Sequence, residues 1–327
     1  MKKIKIGILG TANIAIRSII PQIKNLESKF ELIGIASRSK EKADDAAKKF
    51  NTKPFYNYND IIDSSIIDAV YIPLPNSLHF KYSKMALLKG IHVLVEKPTG
   101  CSFQEVQELV NIAKMNDKSL VENFQFRFHN QLEFLMSTLE SGIIGELRSV
   151  ISAFCFPPFP SSSNIRYKKE LGGGALLDAA AYTVKASSII LGDNLRVKSS
   201  GLNSSKNFEV DIWGSAHLVD TELGYSSTCI FGFDNFYQCG IQIIGSLGKI
   251  STNRLFTARE NFSPTFEIEI NGKDKKVVVL EPDNHFKKML IHFHKTIFDK
   301  ASKEQENIQN LIQAQLLQDI KNKSNEK

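Results

Sequence analysis

The chain has 327 residues, of which 42% are hydrophobic and 23% charged, with a formal net charge of +6. That length favours two domains and large buried cores, and the composition is ordinary for a globular protein. The mild, dispersed positive charge suits an anionic small ligand such as a phosphorylated cofactor and does not argue for nucleic acid.

Cys101, Cys155, Cys229 and Cys239 form no C-x-x-C pair, which fits a reducing compartment and no zinc site. No window reaches the ~18 apolar residues of a membrane span. The start "MKKIKIGILG" reads as a first strand, not a signal peptide, so the expected location is the cytoplasm.

In chain order, "KIKIGIL" reads as a buried strand. "NIAIRSIIPQIKNL" has helical spacing, interrupted or kinked at Pro21. "FELIGIAS" is strand and "SKEKADDAAKKF" a polar helix. "IIDAVYIPLP" ends in strand, and "SLHFKYSKMALLKG" is an amphipathic helix closed by Gly90. "IHVLVE" is strand; "SFQEVQELVNIAKMN" is a helix with Ser102 and Glu105 as a capping box; "SLVENF" is strand. This alternation implies an α/β domain, residues 1–123, with a parallel sheet covered on both faces.

From Leu147 the pattern changes. "LRSVISAFCFP" is a longer strand, followed by a Gly-rich turn and the helix "LGGGALLDAAAYTVKASSIILG". Then come "LRVKSSG", "DIWGSAHLV", "GYSSTCIFGF", "FYQCGIQIIG", "GKISTN", "TFEIEING" and "KKVVVL", strand after strand. They predict an α+β domain, residues 124–327, on a large, open, mainly antiparallel sheet. Two helices close the chain, "HFKKMLIHFHKTIFDK" and "EQENIQNLIQAQLLQDIK", and the last is expected to pack back on the first domain.

The first β–α turn is "GILGTANIA". It fits a dinucleotide fingerprint in the register Gly10, Ala12, Ala15, where Ala adds one methyl. Gly10, Thr11, Ala12, Asn13 and Ile14 are then candidates to cradle a pyrophosphate at a helix start. A plain tight turn is the alternative. The second strand runs into Ser37, Arg38, Ser39 and Lys40. A carboxylate there would repel a 2′-phosphate, whereas Ser37, Arg38 and Lys40 would bind one, which favours NADP(H) over NAD(H). The other reading is a solvated helix start capped by Ser39. "YIPLPNSLH" offers Pro73, Leu74, Asn76 and His79 as a rigid turn against the nicotinamide or its ribose, or simply a loop stiffened by prolines. His292 and His294 are two apart on a helix and face different ways, so no metal is expected.

"GILGTANIA", "AVYIPLPNSLH", "HVLVEKP" and "ELGGGALLDAAAY" occur in the order and spacing of the Gfo/Idh/MocA oxidoreductases, which the chain resembles over essentially its whole length. The resemblance implies a Rossmann domain followed by a substrate domain. It implies that Lys97 is the catalytic lysine and that Glu96 positions it or contacts the cofactor. It implies that Tyr182 donates the proton and that Asp178 orients the pair or binds a sugar hydroxyl. Arg166, before the Gly-rich turn, is implied to reach the cofactor, and Arg127, Asn284 and His285 are implied substrate contacts. The family usually has Gly where this chain has Ala180, an added methyl that narrows the helix surroundings. The branch implied is that of glucose-fructose oxidoreductase, dihydrodiol dehydrogenase and NDP-hexose 3-ketoreductase. The expected reaction is C3 reduction of a keto-deoxyhexose on a nucleoside diphosphate; a dihydrodiol or free-sugar dehydrogenase and a non-catalytic dinucleotide-sensing regulator are the alternatives. The expected partners are a sugar or sugar-nucleotide substrate and a second copy of the chain, as homodimer or homotetramer through the C-terminal sheet, with neither nucleic acid nor membrane.

Overall fold

The computed structural model describes residues 2–161 and 163–326. The chain forms two compact units, Met1–Phe124 with Phe286–Leu311, and Gln125–His285 with Ile312–Lys327.

The first unit opens with β1 (Ile4–Leu9), apolar and buried at every position but one. A π turn over Ala15–Ile19 leads into α1 (Ile20–Asn25), which places Pro21 in a first turn, where a missing N–H costs least. There follow β2 (Phe30–Ala36), α2 (Lys40–Phe50), β3 (Lys53–Phe55), α3 (Tyr58–Asp63) and β4 (Ala69–Ile72). Then come α4 (Asn76–Leu88), β5 (His92–Glu96), α5 (Phe103–Met115) and β6 (Leu120–Asn123). The strands pair in parallel in the order β3-β2-β1-β4-β5-β6. The order reverses beside β1, and ligands of such sheets bind outside the carboxyl ends of the strands at that point. The periodicity reading had neither β3 nor α3. Pro54 explains the first omission: proline is tolerated in a strand at a sheet edge, where β3 lies.

Local chemistry sets the helix ends. Gly90 has φ 73°, the left-handed residue after α4. Ser102 caps α5 by accepting from Glu105 N–H (3.3 Å), as expected. The Glu105 carboxylate reaches one residue further back than a capping box requires, accepting from Cys101 N–H at 2.7 Å.

The second unit begins with a short helical turn, Gln125–Phe128, then α6 (Asn130–Glu140) and β7 (Leu147–Cys155). After two short helical turns, a π turn over Leu176–Ala180 runs into α7 (Ala181–Leu191). The remaining strands are β8 (Leu195–Ser204), β9 (Asp211–Asp220), β10 (Ser226–Gly232), β11 (Gln238–Gly245), β12 (Gly248–Thr252), β13 (Thr265–Ile270) and β14 (Lys276–Val279). They form an eight-stranded sheet ordered β14-β13-β12-β11-β7-β10-β9-β8. Every pairing is antiparallel except β7 with β10. Side chains alternate across it: Val150, Phe154, Cys229, Phe231, Ile212 and Leu218 are buried on one face.

The stretch Lys169–Leu191 corrects one expectation, because it is long and apolar enough by composition to cross a membrane. Its most apolar window is 78% buried inside the protein, so its apolarity serves the core.

The chain closes with α8 (His285–Phe298) and α9 (Lys300–Asn325). In the first unit Phe293 stacks on Phe30 (6.5 Å between ring centres) and Asn310 donates to the Leu120 carbonyl at 3.0 Å. In the second, Gln313 donates to the Ala181 carbonyl at 2.9 Å. His292 meets Glu306 (2.8 Å), whereas His294 faces the Lys2 carbonyl (3.3 Å), so the two imidazoles point to different partners.

Three buried histidines are held neutral. Burial lowers His79 and His92 from 6.5 to about 4 and His285 to about 3. Each binds its proton less readily folded than unfolded. The unfolded chain therefore takes up more protons as pH falls below 6.5, and stability drops through that window by ~1.4 kcal/mol per histidine per pH unit. Urea denaturation at neutral pH and at about pH 5 checks this; a flat profile across that range would contradict it.

Candidate active site

The first unit presents its candidates at the carboxyl ends of β1, β2, β4 and β5. Gly10 follows β1 with φ 113°, and an added Cβ would meet Leu74 Cδ2 at 3.0 Å and the Pro73 carbonyl at 3.6 Å. The turn after β1 therefore lies against the turn after β4, and only glycine fits between them. The Ala12 carbonyl accepts from Ile16 N–H (3.1 Å), which starts the helix. Thr11, Ala12, Asn13 and Ile14 thus sit at a helix start, whose first N–H groups have no intrahelical acceptor and favour an anion.

At the end of β2, Ser37 is buried and its Oγ accepts from Ser39 N–H at 3.2 Å. Ser39 Oγ caps α2 by accepting from Lys42 N–H (3.4 Å). Arg38 and Lys40 stay exposed, with Lys40 Nζ 5.6 Å from the Tyr56 ring centre. Ser39 is the cap, and the cations remain outside without a carboxylate at the strand end. This donor set fits a dinucleotide bearing a 2′-phosphate.

Pro73 and Leu74 are buried, and Asn76 opens α4. His79 corrects its expected role. It is fully buried, and its Nδ1 and Nε2 each lie 2.7 Å from a main-chain carbonyl, those of Pro98 and Leu74. Neither nitrogen is left for a cofactor. A neutral imidazole donates to one of these oxygens only, since donation to both needs the imidazolium that burial opposes.

β5 ends in the turn that carries Lys97, and the Lys97–Pro98 peptide is cis. Glu96 Oε1 accepts from Tyr71 Oη and Asn123 Nδ2, both at 2.6 Å. Burial raises the Glu96 pKa against the opposing effect of these donors and of Lys97. Glu122 Oε1 accepts from Thr99 N–H at 2.9 Å. Lys97 is 9% exposed on a turn held on both sides. Tyr71, Glu122 and Asn123 were absent from the sequence reading. Their signal was a polar residue inside an apolar parallel strand, "AVYI" and "LVEN".

The second unit assembles its candidates around the π turn. Arg166 Nε donates to Asp178 Oδ2 at 2.5 Å, and its guanidinium lies 4.8 Å from the Phe159 ring centre. The Asp178 charge raises the Arg166 pKa, and Tyr182 adds to the effect. Arg166, expected to reach the cofactor, is engaged by Asp178. Tyr182 is 8% exposed, with Oη 3.5 Å from Gln125 Oε1. Its ring packs on Phe154 (4.8 Å), Phe126 (5.9 Å) and Phe256 (5.9 Å). Ala180 is wholly buried in the helix.

In the Gly-rich turn the room beside the glycines is filled by the chain itself. A Cβ on Gly173 would meet the Arg166 carbonyl at 2.5 Å, and Gly174, at φ 112°, faces the Asp211 carboxylate. Asp211 Oδ2 accepts from Leu176 N–H at 2.6 Å and so caps the helix that carries Asp178. Asp211 is a fourth residue the sequence reading missed, because a lone acid at a strand start carries no motif.

Arg127 lies in the turn after β6, its guanidinium 5.2 Å from the Phe128 ring centre. Asn284 Nδ2 donates to Glu260 Oε2 at 2.8 Å. His285 is 3% exposed and packs edge-on against His129 at 5.4 Å.

The profile of an oxidoreductase family with an NAD-binding Rossmann fold, GFO/IDH/MocA, matches residues 4–124, and that of the GFO/IDH/MocA C-terminal domain matches residues 134–251. A dTDP-3,4-didehydro-2,6-dideoxy-alpha-D-glucose 3-reductase of Streptomyces violaceoruber is 34% identical over 85% of this chain and 81% of that protein. An enzyme of the same name from Actinomadura kijaniata is 31% identical over 97% of this chain and 95% of its own length. KijD10, a 3-ketoreductase from Actinomadura kijaniata whose crystal structure holds NADP and TDP-benzene, superposes with a TM-score of 0.93. It is 31% identical, and the match covers 98% of each chain. With the parallel sheet, the glycine turn and the Lys97 turn in place, the chain belongs to the GFO/IDH/MocA family of oxidoreductases.

Proposed function

We propose that this oxidoreductase uses NADPH to reduce the C3 keto group of a deoxyhexose carried on a nucleoside diphosphate. What supports this most is the joint presence of a held Lys97 turn and the Arg166–Asp178–Tyr182 cluster in a chain that matches sugar-nucleotide 3-reductases over most of its length. KijD10 has also been crystallised with TDP-benzene and NADP after replacement of one lysine or one tyrosine, the two residue types assigned here.

A dihydronicotinamide bound at the carboxyl ends of the strands would supply a hydride. Gly10 and the amides after it would hold its pyrophosphate, and Ser37, Arg38 and Lys40 its 2′-phosphate. Lys97 places an ammonium at the substrate oxygen, where negative charge develops during reduction. Tyr182 gives that oxygen its proton. Asp178, fixed by Arg166, orients the tyrosine or a sugar hydroxyl. Arg127 and Asn284 remain proposed substrate contacts.

The exposed face of the large sheet carries Ile151, Trp213 and Ile230, between 37% and 39% exposed on the adjacent strands β7, β9 and β10. We place a second copy of the chain there, since such a patch favours association. Sedimentation of the purified protein would show a dimer or tetramer; a monomer at micromolar concentration would refute it.

Lys97→Ala and Tyr182→Phe each lower kcat by ~100-fold or more while the NADPH dissociation constant stays within ~3-fold. Turnover with dTDP-linked against free keto sugars tests the substrate, and activity on free sugars alone would favour a free-sugar dehydrogenase. Full activity of Tyr182→Phe would remove it as proton donor. Arg38→Ala weakens NADPH by ~10-fold or more and NADH by less than ~2-fold, measured by fluorescence titration. Equal losses would move the 2′-phosphate contact elsewhere.

A further inference from the structure

The loop after β12 holds an arginine that the mechanism leaves unused. Arg254 is half-buried, and its guanidinium is held by two aromatic rings, 5.5 Å from the centre of Tyr237 and 5.5 Å from that of Phe262. Among the described residues no carboxylate lies within ion-pair distance of it and no side chain or carbonyl accepts from it. Glu260, six residues on, gives its Oε2 to Asn284. A guanidinium has five N–H donors in its plane, and among the described residues none of these has a side-chain or carbonyl acceptor. The site is therefore a fixed cation whose hydrogen-bonding edge is unspent.

The loop that carries it is rigid. Leu255 and Phe256 are buried, at 1% and 0% exposure, and Leu255 N–H donates to the Cys239 carbonyl at 2.8 Å. Tyr237 is fixed from the other side, with its ring 5.9 Å from Phe156 and its hydroxyl 3.4 Å from Thr257 Oγ1. The charge of Arg254 acts on Tyr237, opposing the effect of burial on its hydroxyl. The loop also reaches the proposed proton donor. Phe256, whose ring lies 5.9 Å from that of Tyr182, is two residues from Arg254, a span of at most about 7 Å. A group attached to a sugar ring at Tyr182 lies at that scale.

We propose that Arg254 binds the diphosphate of the sugar-nucleotide substrate, its guanidinium offering paired N–H donors to the phosphate oxygens. This rests on the reading of the substrate as a sugar nucleotide. The two rings beside it limit its movement, so less freedom is lost when an anion arrives. Arginine here selects a substrate with a diphosphate over the free sugar, which has no group to fill the site.

The test is calorimetric titration of the full-length protein, with NADPH present, using dTDP, UDP and thymidine. The wild type binds a nucleoside diphosphate and not thymidine. Arg254→Ala weakens that binding by ~10-fold to ~100-fold, the usual range for a lost charge-assisted hydrogen bond. Arg254→Lys restores part of it, because a lysine keeps the charge and loses the fork. NADPH affinity changes by less than ~3-fold in both variants. Equal diphosphate affinity in wild type and Arg254→Ala overturns the assignment of Arg254 and leaves the substrate reading standing. Parallel loss of NADPH binding in both variants also overturns it, since the residue then serves the fold. No binding of dTDP or UDP by the wild type overturns both.

Discussion

A carboxylate taken out of water at the end of a buried strand is the constraint on which the Lys97 turn depends. Glu96 ends β5 and is held there by two donors on one oxygen, Tyr71 Oη and Asn123 Nδ2. They come from β4 and β6, the strands on either side of β5. A buried acid without such donors costs several kcal/mol or gives up its charge, so the three residues stand or fall together. Their geometry fixes where the chain leaves the sheet, and Lys97 is the next residue. Glu122, also on β6, holds the far side of the turn through Thr99 N–H, and His79 faces the Pro98 carbonyl between them. The lysine is flexible by nature, with a long stem. Here its main chain is not.

The second unit solves a similar problem in a similar way. Asp211 is a carboxylate on a strand that accepts main-chain N–H groups at a helix start, as Glu122 does at a turn. With that end fixed, the π turn carries Asp178 to Arg166, and α7 carries Tyr182 into a wall of aromatic rings. The glycines before the helix are needed for this, since the Arg166 carbonyl and the Asp211 carboxylate occupy the space a side chain would take. Structural carboxylates thus position main chain, and the side chains beyond them are left for chemistry. The division matters for catalysis, because a proton donor misplaced by an ångström loses much of its effect.

The large sheet has two uses for its two faces. One buries Phe154, Phe231 and their neighbours beneath α7 and so supports the ring of Tyr182. The other leaves Ile151, Trp213 and Ile230 outward in a row. The same alternation along each strand produces both surfaces, which ties the support of the tyrosine to the surface proposed for a second copy.

Much of this was legible from the residues in order. Apolar runs alternating with amphipathic stretches specified the parallel sheet, because strands buried on both faces must be apolar throughout. Alternating runs without helices between them specified the second sheet. "EKP" and "GGGALLDAAAY" marked Lys97, Asp178 and Tyr182, and Ser102 and Gly90 marked helix ends, since these depend on contacts only a few residues long. The rest needed distant parts of the chain to meet. Nothing local shows that Tyr71 and Asn123 converge on Glu96, that Asp211 caps a helix 35 residues earlier, or that His79 spends both nitrogens on main-chain carbonyls. Nor could a list of residues show that His285 is buried against His129, or that Arg254 lies over two rings without an acid beside it. A side chain's type is written in the sequence. Its partner, its burial and therefore its charge are settled by residues tens or hundreds of positions away.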